Sequence, residues 1–314
     1  VIRTSDHPLL AARELRKSFR GHLSVGLTQV LTGLDLTVYP GEIYGFIGAN
    51  GAGKTTTIKI LTGLIHADSG SFQLLGHPGG EAQSRRRLGF LPENPNFYGY
   101  LNAREFLEFQ ARLVGLDPRR RRRDVDRLLA EVGMGERSGT ALRKCSKGML
   151  QRVGIAQALL GQPDLLILDE PMSGLDPVGR RDLRDLILAQ PGRGTTVFFS
   201  SHILSDAELL CDRIGVLRQG RLVLEGSLDT ILGSASPAWD VIASRVDRVT
   251  DLAEGCVISR QGDRVLFRVE GEQLLARLLD DLRAGGAGLQ SVTPRRQSLE
   301  ERFLDLEETP RERA

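Results

Sequence analysis

The sequence predicts an α/β fold built on a largely parallel sheet, and three observations carry that expectation. Short apolar runs of strand length alternate with longer segments of helical character. One such run, Glu42-Ile43-Tyr44-Gly45-Phe46-Ile47, leads through a glycine-rich loop into a helix-like run, Thr55-Thr56-Thr57-Ile58-Lys59-Ile60-Leu61. Another, Leu165-Leu166-Ile167-Leu168, ends on two carboxylates, Asp169 and Glu170. Ligands in open sheets of this kind sit beyond the carboxyl ends of the strands, so both features are expected at one edge.

Taken in order, residues from about 9 to 38 read as strands around a turn-rich Arg20-Gly21-His22, and Pro40-Gly41 turns the chain into the first buried strand. The helix after the loop closes near Gly63. A helical stretch runs from about Asn102 to Leu160. Within it Val125, Leu128, Leu129 and Val132 share one face after an Asp117-Pro118 start. Strands return at Leu165–Leu168, at Thr195–Phe199, and at Ile214–Leu217 with Leu222–Leu224 across a Gln219-Gly220 turn. The Gly233–Pro237 segment reads as a linker. It divides the chain into residues 1–233, with a helical part at about 95–160, and a second unit at 238–314. That unit shows strand 239–243, a short helix, strands 256–259 and 265–269 across Gly262-Asp263, a helix from about Gln273 and a strand near 289–292. The order βαββαβ is the split-βαβ pattern of a small α+β, ferredoxin-like fold, followed here by a terminal helix from Ser298.

A chain of 314 residues with 40% hydrophobic and 26% charged residues is long enough for two globular domains. Lys+Arg 42 against Asp+Glu 40 leaves no strong field, which argues against nucleic acid as the main partner. Cys145, Cys211 and Cys256 form no CxxC or Cys/His cluster and fit reduced thiols in the cytoplasm. There is neither a run of about 18 apolar residues nor a signal-peptide pattern, so any membrane involved is supplied by another chain. The Arg119–Arg123 run reads as a solvated helix start.

The loop Gly48-Ala49-Asn50-Gly51-Ala52-Gly53-Lys54-Thr55 fits the pattern GxxxxGK[ST]. A loop wrapped around a polyphosphate must turn several backbone amides toward one anion, and glycines allow the backbone angles and the close approach. The helix beginning near Lys54 aims its free amides and the positive end of its dipole at the phosphates. Lys54 would place a point charge on them, and the Thr55 hydroxyl would take a position on Mg²⁺, with Thr56 beside it. The loop therefore indicates a nucleoside triphosphate. Hydrolysis further needs a carboxylate on the metal and a residue that orients water, and Asp169 and Glu170 suit these two tasks.

With Asp169-Glu170-Pro171-Met172-Ser173-Gly174-Leu175-Asp176-Pro177 and His202 after Phe198-Phe199-Ser200-Ser201, the chain resembles the ATP-binding cassette (ABC) family over about residues 9–230. The resemblance implies a P-loop NTPase core of the ABC nucleotide-binding type with a helical subdomain, and ATP and Mg²⁺ as ligands. It implies Glu170 as general base or water positioner, His202 as the switch histidine, Asp169 on the metal, and Phe19 as the aromatic that stacks on adenine. The family's signature, Leu-Ser-Gly-Gly-Gln, corresponds to Cys145-Ser146-Lys147-Gly148-Met149, where Ser146 and Gly148 are kept and would meet the γ-phosphate held by a second copy of the chain. Lys147 either adds charge there or points to solvent. Glu93, in Phe90-Leu91-Pro92-Glu93-Asn94, stands where the family has glutamine and would serve Mg²⁺ or its water. These changes and the Ser298-Leu299-Glu300-Glu301 stretch look similar to the drug-resistance and ABC-2 exporter branch. The implied function is the ATPase subunit of an exporter, working as a dimer against a separate membrane permease at the inner face of the membrane. The alternatives are a soluble ABC ATPase acting on ribosomes or DNA and a non-catalytic regulatory module; no Asn-Lys-x-Asp segment supports a GTPase.

Overall fold

Apolar runs with no polar face have nowhere to go but the middle of a sheet covered on both sides, and in the computed structural model they stand next to one another there. The structure describes residues 7–20, 26–232, 238–246, 256–295 and 299–300. It divides into two compact units, residues 1–228 and 229–314. The first contains β1 (Leu10–Arg20), β2 (Leu27–Val38), β3 (Ile43–Ile47), α1 (Lys54–Leu61), β4 (Ser69–Leu74), β5 (His77–Pro78), β6 (Leu88–Leu91) and α2 (Ala103–Leu113). There follow α3 (Pro118–Glu131), α4 (Lys147–Ala158), β7 (Leu165–Leu168), α5 (Pro177–Leu188), β8 (Thr196–Ser201), α6 (Leu204–Leu210), β9 (Arg213–Arg218) and β10 (Arg221–Ser227), before α7 (Leu228–Leu232).

Six strands form the main sheet in the order β10-β9-β3-β8-β7-β6. Every neighbouring pair is parallel except the β9–β10 hairpin. Every residue of β3, β7 and β8 is buried. Tyr44 stacks on Phe198 with ring centroids 5.7 Å apart, both rings wholly buried; each contributes roughly 2–3 kcal/mol by burial alone.

A second sheet, antiparallel in the order β2-β1-β4-β5, packs its Leu10, Leu15, Leu31, Leu34 and Leu36 against Phe46, Ile58 and Leu61 of β3 and α1. The turn between β9 and β10 locks onto this layer. Gly220 has φ +77°, donates to Ala52 O at 3.2 Å, and would place a Cβ 2.3 Å from Val30 O. Arg213 joins the same layers, reaching Glu42 at 2.9 Å, Glu225 at 3.2 Å and the Tyr39 and Tyr44 rings. Burial raises the carboxyl pKa of Glu42, while the Tyr39 amide and Arg213 draw it back down.

The helical stretch is three helices, broken at Gly115 and Gly133, both with positive φ. Asn102 and Glu105 close α2 with a capping box. Asp117 caps α3 just before Pro118, and Val125, Leu128, Leu129 and Val132 are buried on one face, as the spacing predicts. Arg119, Arg120, Arg122 and Arg123 are exposed on its first turns. Among the described residues no helix is long and apolar enough to cross a membrane.

The second unit has β11 (Ala238–Ser244), β12 (Val257–Gln261), β13 (Arg264–Glu270), α8 (Glu272–Ala284) and β14 (Gly288–Arg295). The sheet order is β12-β13-β11-β14 with every pair antiparallel, the arrangement a split βαβ unit generates. Val241, Ala243, Val265, Phe267 and Val269 alternate onto the face that Leu278 and Leu282 of α8 cover. The expected first helix of this unit falls within 247–255, and the linker at 233–237, both outside the described residues. The terminal helix expected from Ser298 is outside them too, apart from Leu299 and Glu300.

Candidate nucleotide-binding site

The parallel register brings the ends of β3, β8 and β7 level, with Ile47 opposite Ser201 and Leu168 opposite Phe199. Whatever follows these strands must meet beyond one edge. From β3 comes the loop 48–53, in which Gly51 and Gly53 have φ of +82° and +114°. Gly53 is also a close approach, because a Cβ there would lie 2.9 Å from the Leu31 side chain. Lys54, almost fully buried, turns back over the loop and donates to Gly48 O at 2.7 Å and Ala49 O at 3.3 Å.

From β7 come the two carboxylates. Asp169 faces Thr55, with Oδ1 and Oγ1 3.5 Å apart. Glu170 bridges two side chains, with Oε1 3.2 Å from Lys54 Nζ and Oε2 2.8 Å from His202 Nδ1. Its φ of +48° is a left-handed conformation that is costly for a side chain with a Cβ. Ser200, the fifth residue of β8 and wholly buried, holds the pair together: its Oγ donates to Asp169 at 2.7 Å and accepts the Glu170 amide at 2.9 Å. Burial pushes the Asp169 carboxyl pKa up, the Ser200 and Thr55 hydrogen bonds pull it down, and Glu93 and Glu170 add to the upward push.

Lys54, Thr55, Glu170 and His202 open onto a concavity of about 560 Å³ whose lining also includes Phe19, Asn50, Gly51, Gly53, Thr56 and Glu93. Phe19, 42% exposed, lies at its wall with Lys17 Nζ 5.5 Å from the ring centre. Gly48, Ala49 and Ala52 do not line the concavity; Gly48 lies so close to β9 that a Cβ there would be 2.5 Å from Leu217 O. Glu93 is exposed at the rim. The oxygen donors of Thr55, Asp169 and Glu93 suit a hard cation that draws its remaining ligands from phosphate and water.

Ser146 and Gly148 are elsewhere on the same chain. They line a second concavity, of about 500 Å³, with Lys147, Gly174, Leu175 and Asp176. Ser146 caps α4, accepting the Met149 amide at 3.3 Å. Lys147 folds over the next loop, and a Cβ on Gly174 would lie 2.4 Å from its Nζ.

Sequence reasoning gave no role to Ser200 or to Gln151, whose Nε2 donates to Pro171 O at 2.8 Å beneath the carboxylates. The available signal was a hydroxyl inside an otherwise apolar strand. The Lys54–Glu170 pair had none, because it joins residues more than a hundred positions apart.

The family model described as ABC transporter matches residues 31–173. A protein of Nostoc sp. named as an ABC transporter ATP-binding protein is 48% identical over 237 residues, covering 74% of this chain and 68% of that one. The bacitracin transport ATP-binding protein of Bacillus licheniformis is 44% identical over 200 residues, 62% of this chain and 64% of that one. A solved structure of the ATP binding subunit of an ABC transporter shares 35% identity with a TM-score of 0.63, covering 71% of this chain and 91% of that chain.

Proposed function

The chain belongs to the ABC transporter family as an ATP-binding, ATP-hydrolysing subunit, and from that premise we propose how its residues bind ATP and whom it works with. The observation that carries the proposal is the meeting of Lys54, Glu170 and His202 at one concavity, with the aromatic Phe19 on its wall and Asp169 facing the Thr55 that lines it.

In this reading Phe19 stacks on the base, and the amides of the loop 48–55 with the start of α1 hold the phosphates. Lys54 exchanges its carbonyl and Glu170 partners for phosphate oxygens, which releases Glu170 to work. Thr55 and Asp169, with Glu93 at the rim, would hold Mg²⁺, which neutralises charge on the phosphate oxygens when bound. Glu170 orients the attacking water and takes its proton as the new bond to the γ-phosphorus forms and the bond to ADP breaks. His202, 2.8 Å from Glu170, keeps that carboxylate aimed and reaches the γ-phosphate.

The separation of Ser146 and Gly148 from this concavity supports a partner. Two copies arranged head to tail would place the α4 N-terminus of each against the nucleotide of the other. The similarity to a bacitracin transport protein supports an exporter whose permease is a separate chain, with this subunit docked at the cytoplasmic face of the membrane.

Glu170→Gln is expected to bind ATP, lose turnover and accumulate as an ATP-bound dimer; steady-state hydrolysis at the wild-type rate removes Glu170 from this role. A mixed dimer of Lys54→Ala and Ser146→Arg chains retains one intact composite site and regains hydrolysis if the site is shared. Recovery of no activity refutes the shared site.

A further inference from the structure

Beside the first concavity, and sharing Glu170 and His202 with it, lies a crevice whose remaining residues the reaction as described does not use. It is lined by Glu170, Ser200, His202, Arg180 and Asp206. Asp206, only 9% exposed, is the third residue of α6, and α6 begins two residues after His202. Arg180 is the fourth residue of α5, and its Nη1 lies 3.9 Å from Asp206 Oδ1. Arg184, one turn further on α5, adds a second positive charge toward the same carboxylate. The N-terminal tip of α5, one turn before Arg180, lies in the second concavity: Asp176 caps the helix by accepting the Gly179 amide at 2.7 Å, and Gly174, Leu175 and Asp176 line that concavity beside Ser146. One rigid helix thus has its tip in the half-site offered to a partner and its flank against the half-site the chain keeps.

We propose that Arg180 and Asp206 are positioning residues that tie the start of α6, and with it His202 over Glu170, to α5. Engagement of a partner's nucleotide at the tip of α5 then sets the geometry of this chain's own hydrolytic pair. The proposal rests on the shared-site reading above. A buried carboxylate needs a charge partner to hold its place, and two arginines one turn apart on α5 provide it from a single element.

The test is steady-state hydrolysis of Mg²⁺-ATP by the full chain and by Arg180→Ala, Arg180→Lys, the near-isosteric Asp206→Asn, and the double variant Arg180→Ala/Asp206→Asn. Each of Arg180→Ala and Asp206→Asn is expected to lower kcat about tenfold with KM for ATP held within about twofold. The double variant falls no further than the weaker single, and Arg180→Lys keeps most of the wild-type rate. A wild-type Hill coefficient above 1 drops to 1 in Asp206→Asn. Unchanged kcat in the single variants, losses that multiply in the double, a KM that rises with a falling melting temperature, or a wild-type Hill coefficient of 1 each overturn the proposal. A wild-type chain that hydrolyses no ATP would bring down the functional reading instead, so the two failures are distinguishable.

Discussion

Replacing Ser200 by Ala removes one oxygen and breaks two hydrogen bonds at a side chain with no solvent exposure. The bond to Asp169 is to a carboxylate, and such bonds are worth about 1.5–3 kcal/mol. The Glu170 amide, left without its acceptor, costs a further 1–3 kcal/mol or so if it stays dry. The adjoining crevice holds only about 10 Å³, at the lower limit for one water. The space vacated by the hydroxyl would let a single water in, so the net loss is expected at about 2–4 kcal/mol, below the sum of the two extremes. Tryptophan fluorescence cannot follow it, because the only Trp, Trp239, lies in the second unit. Hydrogen exchange of the β7 and β8 amides across a urea series reads the first unit directly. Catalysis is expected to fall about tenfold in kcat, equivalent to roughly 1.4 kcal/mol, as Glu170 loses the anchor of its backbone. A stability loss under about 0.5 kcal/mol, the range of ordinary surface substitutions, together with unchanged kcat would refute this account of Ser200.

Three further outcomes follow from contacts described above. Arg213→Ala leaves Glu42 buried without its cation and is expected to destabilise the first unit by about 3–5 kcal/mol in urea unfolding; adding Glu42→Gln should return much of that loss, and failure to do so would show that the guanidinium acts through packing alone. Gly220→Ala forces a Cβ against the Val30 carbonyl at positive φ and should cost about 2–3 kcal/mol by the same measurement, whereas Gly41→Ala, also at positive φ but with nothing within 4 Å, should cost only about 1 kcal/mol. Phe19→Ala is expected to raise KM for ATP about five- to tenfold, and Phe19→Trp to keep it near the wild-type value, since stacking on a base is worth about 1–3 kcal/mol; equal KM values in all three proteins would remove Phe19 from the site.

Much of this was legible because the deciding signals are local. The run from Ile43 to Lys54 carries strand, loop and helix start in twelve consecutive residues, and Val125, Leu128, Leu129 and Val132 declare the buried face of α3 by spacing alone. The strand order of the second unit could be anticipated from chain order because a split βαβ unit admits few arrangements. The antiparallel sheet was harder to see. Its strand β4, Ser69-Gly70-Ser71-Phe72-Gln73-Leu74, has only two apolar residues and buries one of them fully, so it carries almost no period-2 signal. Ser200 reads as the polar end of a strand until Asp169 and Glu170 are placed beside it. Arg213 meets Glu42 only after the chain has passed through the whole helical part. Contacts of this kind belong to the topology.

The strand order also imposes a timetable on synthesis. β3, which carries the phosphate loop, is flanked in the sheet by β8 and β9, and these are translated about 150 and 170 residues after it. At ~5–20 residues per second the wait lasts roughly 8–35 s. Through that interval Ile43–Ile47 is an apolar strand with both edges unpaired, open to wrong partners. The loop at Lys54 is made long before the strands that fix its shape.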